Sequence, residues 1–159
     1  MTERPSRDDY FLKMLALVAA RSTCARRAVG AIIVDRGGHV LAMGYNGVPA
    51  GFPHCVDHPC PGAQDAKGDS SRCLSIHAEV NALLQCSRLD LAHTIYVSCL
   101  PCFSCAKALV NTPLKRVVAV EAYADTAGFD VLGAGGFTVE VAGALRAFNL
   151  GGRPNLGEP

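Results

Sequence analysis

Four residues have types and spacing that could do chemistry together. They are His77, Glu79, Cys102 and Cys105, set in His77-Ala78-Glu79 and Pro101-Cys102-Phe103-Ser104-Cys105. Imidazole and thiolate are preferred zinc donors, and three protein ligands with an open fourth position make a catalytic rather than a structural arrangement. Cys102 and Cys105 stand at i and i+3, so on a helix they share a face and reach one ion. Pro101 suits the first turn of that helix, where a missing N–H costs little, and the helix dipole favours thiolate there. Zinc in such a site lowers the pKa of its water from about 15.7 to about 7, which yields a nucleophile near neutral pH. Glu79, which the metal does not need as a ligand, is then the proton carrier. The competing reading of Cys-x-x-Cys is a redox dithiol, and the upstream His-x-Glu argues against it. Cys99 and Cys102 form a second Cys-x-x-Cys. Cys99 is read as a bystander, because three sulfurs plus His77 would fill the position that water needs.

The elements that must position these groups follow from periodicity. Tyr10, Phe11, Met14, Leu15, Leu17 and Val18 predict a helix capped by Asp8 or Asp9 and running to about residue 21. Residues 29–34 are β-branched and read as a buried strand, Gly37-Gly38 as a hairpin turn, and 39–45 as the antiparallel return strand. Glycine and proline make 46–51 a loop. A helix over 76–87, with Val80, Leu83, Leu84 and Cys86 on or near its core side, delivers His77 and Glu79 from its first turn. A third strand at 94–98 ends before the metal helix at 102–111, a fourth spans 116–120, a short glycine-weakened helix spans 127–134, and a fifth strand spans 137–141. A last helix through 148 precedes a loose tail at about 149–159. His39 and His93 are read as solvent-exposed. The order predicts an α/β fold of three layers, a mixed five-stranded sheet with helices on both faces, in one domain over 1–159.

The stretch 52–75 has little periodicity and is rich in Pro, Gly, Asp and Cys. A loop of that length in a compact domain is usually functional or held by something. Cys24, Cys55, Cys60 and Cys73 could close a structural zinc site, whose apparent binding energy of about 10 to 16 kcal/mol would order a segment without a core of its own. His54 and His58 are rival ligands, and a set of unbridged thiols is the alternative.

Composition narrows the setting. The chain has 159 residues, half of them hydrophobic, which suits one domain with a proper core. A net charge of +1 without a basic run gives no footprint for nucleic acid, so a small-molecule partner is expected. No apolar stretch reaches the ~20 residues of a membrane span, and residues 1–7 are too polar for a secretory signal. With eight cysteines in that context, metal is the better expectation than a disulfide framework, and the protein is expected to be cytoplasmic.

His-x-Glu with Pro-Cys-x-x-Cys is the signature of zinc deaminases. From Tyr10 to about Val141 the chain resembles the deoxycytidylate (dCMP) deaminases of the cytidine deaminase superfamily, including the bacterial late-competence and phage-type branch. The branch-level likeness rests on Arg21-Ser22-Thr23-Cys24, Val29-Gly30-Ala31, Gly44-Tyr45-Asn46-Gly47, His54-Cys55 and His77-Ala78-Glu79-Val80-Asn81-Ala82. The resemblance implies that Asn46 holds the deoxyribose and base, that the amide of Ala78 receives the pyrimidine carbonyl, and that Tyr123 helps bind the nucleotide. It also implies a basic residue meeting the phosphate, Arg26 or its rival Arg27. It further implies a structural metal on cysteines matching Cys24 and Cys55, and a homo-oligomer, dimer or hexamer. The insert and the glycine-rich 128–136 depart from the usual pattern, which leaves regulation by dCTP and dTTP open.

The expected activity is hydrolytic deamination of dCMP to dUMP, with one catalytic and one structural Zn2+. Deamination of another cytosine or purine compound is the alternative of the same chemistry; Asn81 and the Asn46 loop favour a nucleotide, and the neutral charge argues against tRNA. A non-catalytic zinc module linked to DNA uptake is the alternative of another class, and Glu79 weighs against it.

Overall fold

The computed structural model describes residues 4–65, 71–123 and 125–142. Most of the final expected helix and the whole tail at 149–159 lie outside them. Among the described residues there are five strands, β1 (Gly30–Asp35), β2 (Val40–Tyr45), β3 (Ala92–Cys99), β4 (Arg116–Glu121) and β5 (Thr138–Val141). They form one sheet in the order β2-β1-β3-β4-β5. β1 pairs antiparallel with β2 and β3, while β3–β4 and β4–β5 are parallel, so the sheet is mixed.

Helices cover both faces. α1 (Arg7–Ala19) lays Phe11, Leu12 and Leu15 on Ile32, Val34, Tyr96 and Val118. α3 (Ala78–Gln85), α4 (Phe103–Val110) and α5 (Ala127–Ala134) pack the other face against Ile33, Ile95, Val97 and Val117. β1 is buried on both faces over its first five residues, which explains its unbroken apolar run. A four-residue helix, α2 (Pro61–Gln64), lies within the insert.

Several expectations need correcting. α1 is capped by Ser6, whose hydroxyl accepts from the Asp9 amide, and it stops at Ala19 rather than near residue 21. Asp8 is needed elsewhere: its carboxylate accepts from the Tyr96 hydroxyl and from both terminal nitrogens of Arg116. α3 begins at Ala78, so His77 is its N-cap rather than a first-turn residue, and its buried positions are Ala78, Glu79 and Ala82. Leu84, assigned to the core side by periodicity, is 74% exposed. The reason is that small residues form the seam of α3: the Gly44 position on β2 abuts the Ala78 carbonyl and the Ala82 amide, and larger side chains are pushed to the flanks. Finally, Pro101 precedes the α4 N-cap, Cys102, instead of occupying the first turn. His93 is half-buried, and burial lowers its pKa; His39 is exposed and bonds Asp35.

Candidate active site

Two helix starts build the site. His77 ends the insert and caps α3, with Glu79 in its first turn; Cys102 caps α4, with Cys105 in its first turn. The β3–α4 turn is pinned where the Leu100 amide donates to the Glu121 carbonyl at the end of β4. The site thus sits beyond the C-terminal ends of the parallel pair β3 and β4, where α/β sheets commonly bind ligands. α3 is secured from below by Asn81, whose side-chain amide donates to the Tyr45 carbonyl at 2.8 Å. Asn81 therefore ties α3 to the end of β2.

His77 Nδ1 lies 3.5 Å from Cys102 Sγ and 3.4 Å from Cys105 Sγ. A tetrahedral ion with N and S donors at ordinary zinc distances requires an N···S separation of about 3.6 Å, so this donor set fits zinc. Among the described residues it is the one group of three His, Cys, Asp or Glu donor atoms all lying within 4.8 Å of one another. Cys99 is outside it: its thiol is buried and directed at the Ala122 carbonyl, 3.6 Å away.

The electrostatics match a cation site. Hydrogen bonds from Cys105 and then His77 lower the Cys102 thiol to about 3, while the hydrogen bond to Cys102 and burial push Cys105 up. The Cys102 hydrogen bond also raises His77. Glu79 is 4% exposed, and burial raises its carboxyl above the ordinary value; its side chain bonds Cys105. A carboxyl held at the edge of a metal-donor set, with its proton affinity raised, has the properties of a general acid–base.

The remaining predicted residues surround this centre unequally. Tyr123 follows β4 at the rim, 39% exposed, with its pKa raised by burial and then by Cys102. The Ala78 amide belongs to the first turn of α3, where N–H groups have no intrahelical acceptor. Asn46 is 7% exposed and largely engaged in its own loop. Its Oδ1 accepts from Ser22 Oγ at 2.7 Å and the Val29 amide at 2.8 Å, and its Nδ2 donates to the Arg27 carbonyl at 2.7 Å. Arg26 donates to the Gly62 carbonyl of the insert at 3.2 Å, while Arg27 pairs with Glu121 at 2.7 Å.

Sequence reasoning missed two framing residues. Gly44 lets α3 touch β2, and buried Gly128 lets α5 touch Pro101 and Cys102. The signal for Gly44 was its place beside the Tyr45-Asn46 loop; Gly128 was read as weakening its helix and as part of a stretch that departs from the family pattern, neither of which points to a contact with Cys102.

A mixed three-layer sheet that gathers a His/Cys/Cys donor set beside a buried glutamate defines the cytidine-deaminase-like class. Residues 5–121 match the cytidine and deoxycytidylate deaminase zinc-binding region. The chain is 42% identical over 123 residues to the deoxycytidylate deaminase of Mycobacterium phage D29, covering 72% of this chain and 94% of that one. It is also 42% identical over 142 residues to the deoxycytidylate deaminase of Saccharomyces cerevisiae, covering 86% of this chain but only 45% of the yeast protein. The crystal structure of dCMP deaminase from cyanophage S-TIM5 in complex with dCMP and dUMP superimposes with a TM-score of 0.72 at 29% identity, covering 89% of this chain and all of that one. The chain belongs to the deoxycytidylate deaminase family.

Proposed function

We propose that this chain hydrolyses dCMP to dUMP and ammonia. The observation that carries the reading is Glu79, a buried carboxyl with raised proton affinity at the edge of the His77/Cys102/Cys105 set. Zinc bound by those three residues supplies Lewis-acid chemistry that makes water a nucleophile near neutral pH. Glu79 takes a proton from the attacking water, gives one to the ring nitrogen beside the attacked carbon, and carries the proton that leaves with ammonia. The Ala78 amide receives the pyrimidine carbonyl. Tyr123 closes the rim over the nucleotide, and the remaining Nδ2 hydrogen of Asn46 faces the sugar. Arg26 is the phosphate contact in this reading and exchanges its Gly62 bond for it; Arg27 is its rival.

A structural zinc on Cys24, Cys55, Cys60 and Cys73 belongs to the same reading. In support, the Cys60 amide donates to Cys55 Sγ at 3.4 Å, the Cys60 thiol bonds both Cys55 and Cys73, and Cys24 is near enough to raise Cys73. The catalytic need for reduced thiols at Cys102 and Cys105 suits a cytoplasmic setting. Exposed Leu17, Met43 and Leu84 suit a homo-oligomer. No helix among the described residues is long and apolar enough to cross a membrane.

Ammonia release from zinc-loaded protein given dCMP, dCTP, deoxycytidine and CMP side by side tests the proposal. Turnover confined to dCMP is expected. Turnover of another compound instead would reassign the substrate, silence on all four with zinc bound would overturn the dCMP reading and turn the search to modified cytosines and guanine, and silence on those as well would favour a non-catalytic zinc module.

A further inference from the structure

The start of α5 bears directly on the segment that carries a metal donor. Gly128 is buried, and a side chain built there would collide with the Pro101 carbonyl oxygen and stand 3.0 Å from the Cys102 carbonyl carbon and 3.2 Å from its oxygen. All three are backbone atoms, which cannot swing aside as a flexible side chain would. Pro101 has a restricted φ, and Cys102 is the α4 N-cap, so moving either displaces the Cys102 sulfur relative to Cys105 and His77. The other side of the contact is equally constrained. Asp125 Oδ1 accepts from the Ala127 amide at 2.9 Å, and the Asp130 amide donates to the Thr126 carbonyl at 3.1 Å, fixing where α5 begins.

We propose that α5 is part of the frame of the metal centre, and that Gly128 is a positioning residue that sets the place of Cys102 by letting the two backbones touch. The inference rests on the reading of His77, Cys102 and Cys105 as zinc ligands, and it requires nothing of the substrate. Two other glycines of the same region separate this role from mere packing. A side chain at Gly133 meets nothing within 4 Å, whereas one at Gly135 meets Val110 Cγ2 at 2.5 Å, at the end of α4 away from the donors.

The test compares Gly128→Ala, Gly133→Ala and Gly135→Ala in the full-length zinc protein. It reads zinc transfer to a chromogenic chelator, the absorption spectrum of the cobalt-substituted site, and the melting temperature. Gly128→Ala should lose zinc affinity ~10-fold or more, as disturbed outer supports of a metal site do, and should shift the cobalt spectrum. Gly133→Ala should match the parent in zinc retention, and Gly135→Ala should lower the melting temperature while keeping parental zinc retention. A Gly128→Ala protein that melts earlier but holds zinc and cobalt as the parent does would overturn the proposal.

Hydrogen exchange on the unmodified protein gives a second arm should Gly128→Ala fail to fold. Stripping zinc should speed exchange at 127–130 together with 101–106 and leave α1 unchanged; unchanged exchange at 127–130 would overturn the proposal. If the parent binds no zinc, the ligand assignment itself fails. If it binds zinc but leaves dCMP untouched, only the substrate reading fails.

Discussion

The backbone carbonyl of Ala78 occupies the space that a side chain on Gly44 would need. α3 therefore rests on the bare backbone of β2, and this contact sets the height of His77 and Glu79 above the sheet. Gly44→Ala must push α3 outward against backbone atoms of both Ala78 and Ala82. Overpacking of this kind costs about 1–3 kcal/mol. The expected outcome is a lower melting temperature together with a reduced kcat, measured by calorimetry and ammonia release. A Gly44→Ala protein with parental kcat would show that the height of α3 is not critical.

Glu79→Gln keeps the size of the buried side chain and removes its proton chemistry. General acid–base groups contribute about 10²–10⁴ in rate, so kcat should fall by at least ~100-fold. Zinc content should stay at the parental value, because the donors are His77, Cys102 and Cys105. Metal analysis beside steady-state kinetics checks both halves. Parental turnover would remove Glu79 from the mechanism.

The site was legible in the sequence because its chemistry is local. Cys102 and Cys105 lie within one helical turn, His77 and Glu79 lie two apart, and few other functions need those types at those spacings. The strands were legible from β-branched runs, since burial on both faces leaves a clear apolar signature in β1 and β3. What the sequence hid was contact between elements distant along the chain. Periodicity placed Leu84 on the core side, but the α3 seam is decided by Gly44 on another element. Asn46 drew attention as a nucleotide contact and Asn81 as a sign of a nucleotide substrate, yet much or all of their visible bonding goes to backbone. A polar side chain near a site has the same letter whether it binds the ligand or the loop.

The cysteine-rich insert makes a stoichiometric prediction. The zinc protein should carry about two zinc ions per chain, one at each thiol set. Cys60→Ser should lose one and keep the other, since Cys60 touches Cys55 and Cys73 but not the His77 set. At free zinc a thousand times its Kd, a lost site removes about 4 kcal/mol of stability. A marked fall in melting temperature with the catalytic zinc retained is therefore expected, read by metal analysis and calorimetry. One zinc per chain in the parent would instead leave the four thiols as an unbridged set.

Asp8 ties the first helix to β4 and, through Arg116, to the edge strand β5, and this makes stability depend on acid in a predictable direction. Arg116 donates from Nη1 and Nη2 to Asp8 at 2.9 and 2.7 Å, and from Nε and Nη2 to Glu140 at 2.8 Å each. Arg116 remains charged at all accessible pH, so for this pair the titration enters through the carboxylate. The Arg116 hydrogen bond holds Asp8 below its ordinary value of 3.8, with the Tyr96 hydroxyl adding to it. A depressed folded-state pKa contributes stability that is fully present above the unfolded value and is lost as pH falls through the folded one. Asp8 keeps more than a third of its side chain in solvent, which screens the pair, so about 1 kcal/mol is expected for the contact even in its two-pronged form. Asp8→Asn should then melt about 3 °C below the parent near neutral pH. The gap should close as pH drops below 3.8, when the parent loses the same charge. Melting curves of both proteins across that range decide it, and a gap that persists in acid would mean that Asp8 acts through packing rather than charge.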